Sequence, residues 1–302
     1  MDNTFHQIAN ESRDIPSYDD LIIKLETTIR VAWGIKDKIN YHKISQWLEN
    51  FTGDALLSNS SEKIERTCAM KREKQLALFL LCNFVYYNES EIRNLMKLMF
   101  RKYIHCHCIS ECKQTFTENG LNSLLQETRF SILGDLSESS SYLLYLFRQE
   151  NHLSKSFFNE EGTFKNVVFI DDFSLTGSQI NRYLKKKIKL YGNDKKYYVL
   201  LMISSQTAIN SLKSNHDITV LPCIVLDECS KAFSEDSIIF KGYNDIYKNE
   251  AKMVCEYYGM KLEDQNKPKA PLGFGGCGYI FGTYIPSKII TMLWYFHFHR
   301  FV

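Results

Sequence analysis

Two adjacent carboxylates, Asp171 and Asp172, interrupt the stretch VVFIDDFSLTGSQI at residues 167–180. The apolar residues before them read as a strand buried on both faces. Like charges side by side repel, and burying them without partners is costly. The pair is therefore either solvated at a surface turn or held by a ligand. Two carboxylates can accept hydrogen bonds from vicinal hydroxyls such as those of a ribose. The turn containing Gly177 can aim successive backbone N–H groups at an anion. A helix starting near Ser178 adds its positive N-terminal end, and Ser174, Thr176 and Ser178 can add hydroxyl donors. Diol acceptors beside a phosphate cradle fit a ribose 5-phosphate.

Such a cradle needs a strand-to-helix junction, and the chain supplies several. TRFSIL (128–133), NVVFI (166–170), YYVLLMIS (197–204) and ITVLPCIVL (218–226) read as strands, separated by the helical patterns YLLYLFRQE, SQINRYLKKKIKLY and SQTAINSLKS. This alternation implies an α/β domain with a parallel sheet and right-handed crossovers. Ligands of such sheets bind at the carboxyl ends of the strands, where Asp171 and Asp172 fall. Upstream, residues 18–106 read as helices, forming a bundle or a winged-helix-like module. EKQLALFLLCNFVYY is apolar nearly all round, as in a buried helix, and Asn88 with Glu91 is spaced as a capping box for the next helix. Downstream of residue 227 the pattern gives a helix ending near Gly259, the glycine-rich loop NKPKAPLGFGGCG, a strand in YIFGTYI and an aromatic C-terminal segment. The expected organisation is a helical N-terminal module over 1–110 and an α/β domain with a C-terminal embellishment over 111–302.

Composition narrows the function classes. The 302 residues are 44% hydrophobic and 24% charged, enough apolar content for a sizeable core. A net charge of +2 does not indicate direct nucleic-acid binding, and the lysines of LKKKIK read as the wet face of a helix. The nine cysteines are odd in number and sit mostly in apolar contexts, which suits free thiols in a reducing cytoplasm. The polar start MDNTFHQIANESRD does not read as a signal peptide, and the longest apolar run is too short to span a bilayer. A cytoplasmic protein without membrane attachment is expected.

A hydrophobic strand, two acidic residues, a variable stretch and then Thr-Gly resembles the phosphoribosyl pyrophosphate (PRPP) signature of type I phosphoribosyltransferases. The resemblance implies that Asp171 and Asp172 hold the ribose hydroxyls and stabilise charge on the sugar during catalysis. It implies that Phe173, Ser174, Leu175, Thr176, Gly177 and Ser178 hold the 5′-phosphate. It also implies Mg²⁺ bound together with PRPP, and places a pyrophosphate loop at GDLSESSS, with Ser137, Ser139 and Ser140 as donors. Arg148 and Lys155 are nearby cations that would neutralise pyrophosphate or serve as solvated helix-end charges. Asp227 and Glu228 stand where a base reader would, or form a surface turn. No other metal site is implied.

The whole chain is also similar to the phosphoribosyltransferase-like proteins of bacterial conflict systems, including retron-type anti-phage operons. WLENF (47–51) lies upstream of the acidic pair, and Pro271, Leu272, Gly273, Phe274, Gly275, Pro286 and Trp294 follow it in the matching order. That similarity implies an effector or sensor acting through PRPP or nucleotide chemistry. It further implies a protein partner reached through the N-terminal helices, a reverse transcriptase or another product of the same operon. The alternative is a catalytically inactive nucleotide-sensing or partner-binding module of the same fold.

Two further clusters are open. His105, Cys106, His107, Cys108 and Cys112 are zinc-ligand types, but no second ligand pair is evident, and buried thiols near a helix end are the competing reading. His297 and His299 would share one face of a strand, or pack within the C-terminal segment.

Overall fold

The computed structural model describes residues 13–28, 41–57, 63–83, 85–87, 89–110, 117–133, 139–159, 162–266 and 281–282. They fall into two compact units, one drawn from residues 1–88 and 228–302, the other from 89–227.

The first unit is helical. Helix α1 (Tyr18–Thr27) starts where the Ser17 hydroxyl accepts the Asp20 N–H at 3.2 Å, and buries Leu21 and Leu25 one turn apart. Helix α2 (Tyr41–Leu48) brings Trp47 edge-on to Phe51, with ring centroids 5.3 Å apart. Helix α3 (Lys63–Cys82) is buried at every position from Leu76 to Cys82, as its all-round apolar pattern requires. It ends at Cys82, earlier than the sequence pattern suggests; Val85–Tyr86 instead form the short strand β1, paired in parallel with β6 (Phe281–Gly282). The last long helix, α9 (Asp245–Asn266), continues past Gly259. It buries Ala251, Val254, Cys255 and Tyr258 at helical spacing in the same core as Leu76 and Phe79.

A buried carboxylate fastens this unit. Glu73 is wholly inaccessible. Its Oε2 accepts the Gly53 N–H at 2.8 Å and the Tyr258 hydroxyl at 2.6 Å, and its Oε1 accepts the N–H groups of Ala55 at 2.7 Å and Leu56 at 3.2 Å. The loop after α2 is thereby tied to α3 and α9. Gly53 is required there: its φ is +89°, and a Cβ would sit 2.9 Å from the Arg66 carbonyl oxygen.

The second unit is a parallel sheet in the order β2 (Thr128–Ile132), β3 (Asn166–Ser174), β4 (Lys196–Ser205), β5 (Ile218–Leu226). Helices α4 (Glu89–Ser110), α5 (Glu118–Gln126), α6 (Ser139–Glu150), α7 (Ser178–Tyr191) and α8 (Gln206–Asn215) complete it. Compactness groups α4 with the sheet, although the sequence pattern places it among the N-terminal helices. The cause is a buried face of Met96, Met99 and Tyr103, with the Tyr103 ring edge-on to Tyr198 of β4 at 5.0 Å. Asn88 lies outside the described residues, as do Ser137, Cys112, Phe274, His297, His299 and the glycine-rich loop.

Strand alternation assigns the faces. Val167, Phe169, Tyr197, Val199 and Leu201 pack with Ile180 and Leu184 of α7 and Ile209 and Leu212 of α8. On the other face Phe130 meets Phe147 of α6 at 5.2 Å and Phe100 of α4 at 6.3 Å. The chain therefore leaves β2 toward one face of the sheet and leaves β3 toward the other. A 3₁₀ turn (Lys155–Phe158) returns the chain from α6, with the Phe158 ring 5.5 Å from Phe130. At the edge strand β5, Pro222 has no N–H to offer, and Lys102 Nζ donates to its carbonyl at 2.5 Å.

Burial pushes the Cys82 thiol up to about 12 and the Cys223 thiol up to about 11, with nearby Lys24 and Lys102 opposing in part. A raised native pKa gives stability that is complete below the ordinary thiol value of 9.0 and is lost as pH rises through the native one. The urea midpoint is accordingly expected to hold steady up to that value and to fall above it. Replacing Cys82 and Cys223 by alanine should flatten the fall, and an unchanged profile would refute the assignment.

Among the described residues no helix is long and apolar enough to cross a membrane.

Candidate phosphate and ribose site

The acidic pair lies inside a strand rather than after it. β3 runs on through Ser174, because its hydrogen-bonded register with β4 continues from Ile170↔Leu200 to Asp171↔Leu201, Phe173↔Ile203 and Ser174↔Ser204. Both carboxylates are half-buried, and each accepts a backbone N–H: Asp171 Oδ1 from Asp172 at 3.0 Å, Asp172 Oδ1 from Phe173 at 2.8 Å. Alternation along the strand sends them to opposite faces. Asp171 shares the face of Leu201, covered by α7 and α8. Asp172 takes the face of α6. Since α6 follows β2 on one face and α7 follows β3 on the other, this end of the sheet is a topological switch point, the place where ligands of open α/β sheets bind.

Leu175, Thr176 and Gly177 turn the chain into α7. Gly177 is the residue before the helix, at φ +75° and ψ −6°, a left-handed conformation that suits glycine. The turn is also close to α8: a Cβ on Gly177 would meet the Ala208 carbonyl oxygen at 3.3 Å. The Gly177 carbonyl takes the first helical bond, from the Asn181 N–H at 2.8 Å, and Thr176 Oγ1 accepts the Ser178 N–H at 3.3 Å. The first N–H groups of α7 have no helical carbonyl to serve them, the kind of helix start at which an anion can be received. Phe173, Thr176 and Ser178 are accessible to differing degrees, whereas Ser174 and Leu175 are buried.

Two residues escaped the sequence reading. Ser205 Oγ donates to the Leu175 carbonyl at 2.5 Å and accepts the Ala208 N–H at 3.0 Å, and Ser204 Oγ donates to the Ser174 carbonyl at 3.3 Å. The neighbouring strand thus holds two carbonyls of the turn on the protein side, which orients the turn's N–H groups outward. The only sequence signal is Ser205 standing before a helical pattern, an N-cap position. Ser205→Ala is expected to lower unfolding stability by about 1–2 kcal/mol, measured by urea denaturation, through the lost cap and the orphaned carbonyl.

The remaining candidates are dispersed. Ser139 and Ser140 open α6, directly after the segment that leaves β2. Arg148 sits over the Tyr145 ring at 5.9 Å, and Lys155 is exposed at the start of the 3₁₀ turn. Asp227 and Glu228 are exposed, with Glu228 paired to Lys231 at 2.5 Å. His105, Cys106, His107 and Cys108 all lie on α4. Among the described residues no three His, Cys, Asp or Glu side chains gather to hold a metal ion.

A protein-family model described as PRTase-CE matches residues 44–299, and the chain belongs to that family. It is a phosphoribosyltransferase-like protein with a parallel α/β core. No curated protein and no solved structure matches the chain.

Proposed function

We propose that this PRTase-CE protein binds PRPP, or a nucleotide containing ribose 5-phosphate, at the carboxyl end of β3, and acts as an effector or sensor in bacterial anti-phage defence. The observation that carries the binding reading is the join of two acceptors and one donor set: Asp171 and Asp172 stand one strand-turn before a left-handed glycine that starts α7. In this reading Asp172, on the face toward α6, takes the ribose hydroxyls nearest the pyrophosphate. Asp171 lies on the α7 side, toward the phosphate. Ser139 and Ser140 open the helix after β2, so its first turn is the proposed pyrophosphate contact, together with Ser137. The defence role and a partner on the N-terminal helices rest on the resemblance to conflict-system proteins alone.

Mg²⁺ suits this site as part of the substrate. Carboxylate oxygens are the ligands it prefers, and it is commonly held by one or two carboxylates plus substrate phosphates. In a transfer reaction, departure of pyrophosphate leaves positive charge on the ribose ring, which the half-buried carboxylates stabilise. A reading in which the site senses its ligand without turnover has one observation in its favour. The segment between α6 and β3 is anchored to the sheet by Phe158 against Phe130, where a closing lid would have to move.

The test is calorimetric titration of PRPP with Mg²⁺ into the wild type and an Asp171→Asn/Asp172→Asn variant. Saturable binding to the wild type and a loss of at least about a hundredfold in the variant are expected, from two charge-assisted contacts of about 1.5 kcal/mol or more each. Equal binding to both proteins, or none to the wild type, rejects the site. Release of pyrophosphate from bound PRPP then separates turnover from sensing.

A further inference from the structure

The exposed face of α7 carries a charge stripe that the ribose–phosphate reading does not use. Ser178, Arg182, Lys185, Lys186 and Lys189 are all exposed, and helical geometry puts them within an arc of about 100° over a length of about 16 Å. Successive levels of the stripe are about 5–6 Å apart, a step that an extended sugar–phosphate backbone can follow. Neither α7 nor α8 contains an aspartate or glutamate, and exposed Lys213 of α8 adds to the same side of the sheet. Among the described residues, Arg182, Lys185, Lys186 and Lys189 pair with no carboxylate. The two helices hold six Lys and Arg, so the rest of a chain with net charge +2 carries −4. The near-neutral total that spoke against nucleic acid therefore conceals a segregated cationic face.

We infer that the outer face of α7 binds the backbone of a single-stranded nucleic acid whose 5′-phosphorylated end docks at the Leu175–Ser178 turn. The inference rests on the reading of that turn as a phosphate site. It follows from position: the stripe begins at Ser178, the first residue of the helix whose N-terminus forms the turn, and runs away from it without interruption by acid. A repeated ribose phosphate is then the polyanion that uses both features with one chemistry. His216, close to Lys185, is held below its ordinary value by burial first and by that lysine second, as a positive local field requires.

The test is fluorescence anisotropy of a 3′-labelled oligo(dT) bearing a 5′-phosphate or a 5′-hydroxyl, over a range of salt, with PRPP calorimetry alongside. For four cations the logarithmic salt slope is expected near −3, at about −0.7 per contact on single strands. Lys185→Gln/Lys186→Gln/Lys189→Gln should lower affinity at least tenfold, bring the slope to about −1 or shallower, and leave PRPP binding unchanged. Glutamine is a good helix former, so α7 is retained. An unaltered slope in the variant overturns the inference. So does displacement by polyglutamate as effective as by unlabelled oligo(dT), which would assign the face to an acidic protein. Equal affinity for the 5′-hydroxyl strand overturns the docking of its end. If the wild type binds PRPP but no oligonucleotide, this inference alone fails; if it binds neither, the phosphate reading of the turn fails with it.

Discussion

Gly177→Val is expected to weaken binding of PRPP about a hundredfold while costing only about 1–2 kcal/mol of stability. Gly177 holds φ +75°, where a side chain costs about 1–2 kcal/mol. The added Cβ would also lie 3.3 Å from a carbonyl oxygen of α8. The β-branched residue relieves both by moving the turn, and the N–H groups move with it. A displacement of about 1 Å in a preorganised site is enough for losses of this size. Calorimetry against a urea melt separates the two effects. A variant that loses stability but keeps its affinity would show that the turn's backbone does not contact the ligand.

Glu73 commands the larger effect on folding. Glu73→Ala leaves three backbone N–H groups and the Tyr258 hydroxyl facing a cavity, and is expected to cost about 4 kcal/mol, from unmet donors at about 1–3 kcal/mol each. Glu73→Gln is the informative comparison. It keeps the volume but turns an NH₂ group toward N–H donors, so it should cost about 2–3 kcal/mol despite its likeness. Both appear as a lowered urea midpoint, followed through the fluorescence of the protein's tryptophans, Trp47 among them. If Gln were neutral, the carboxylate would not be the acceptor for this loop.

The parts of this molecule legible in its sequence are those governed by periodicity. β4 and the first half of β3 stand out as continuous apolar runs because burial on both faces leaves no room for alternation, whereas β2 alternates buried with partly exposed residues and most of β5 is only partly buried. The apolar run of β3 stops short of the end of the strand: Asp171 and Asp172 break it, yet the ladder to β4 is made by the backbone and is indifferent to them. The apolar run through Tyr87 overshoots the end of α3, since it says nothing about where a helix yields to a strand. Glu73 gave no warning at all. A lone glutamate in a charged stretch, KREKQ, looks like helix surface, and only the approach of Gly53 and Tyr258 from 20 and 185 residues away makes it the most buried carboxylate described. Of the candidate site, the turn from Asp171 to Ser178 was visible as a motif. Ser204 and Ser205 were not, because their role is to bond carbonyls on the neighbouring strand, a relation set by register.

The two ends of the sequence build one unit, and everything between residues 89 and 227 builds the other. During synthesis the sheet unit emerges as one uninterrupted stretch and has all its strands once Leu226 has been added. The first helices cannot finish in that time. Leu76, Phe79 and Leu80 belong to a core that also needs Phe240, Tyr247 and Val254, so their apolar face waits for more than 150 residues of further translation. The order of folding is thus expected to be inverted relative to the order of synthesis: the inserted unit can complete its core first, and the amino-terminal helices keep their apolar face uncovered until α9 arrives.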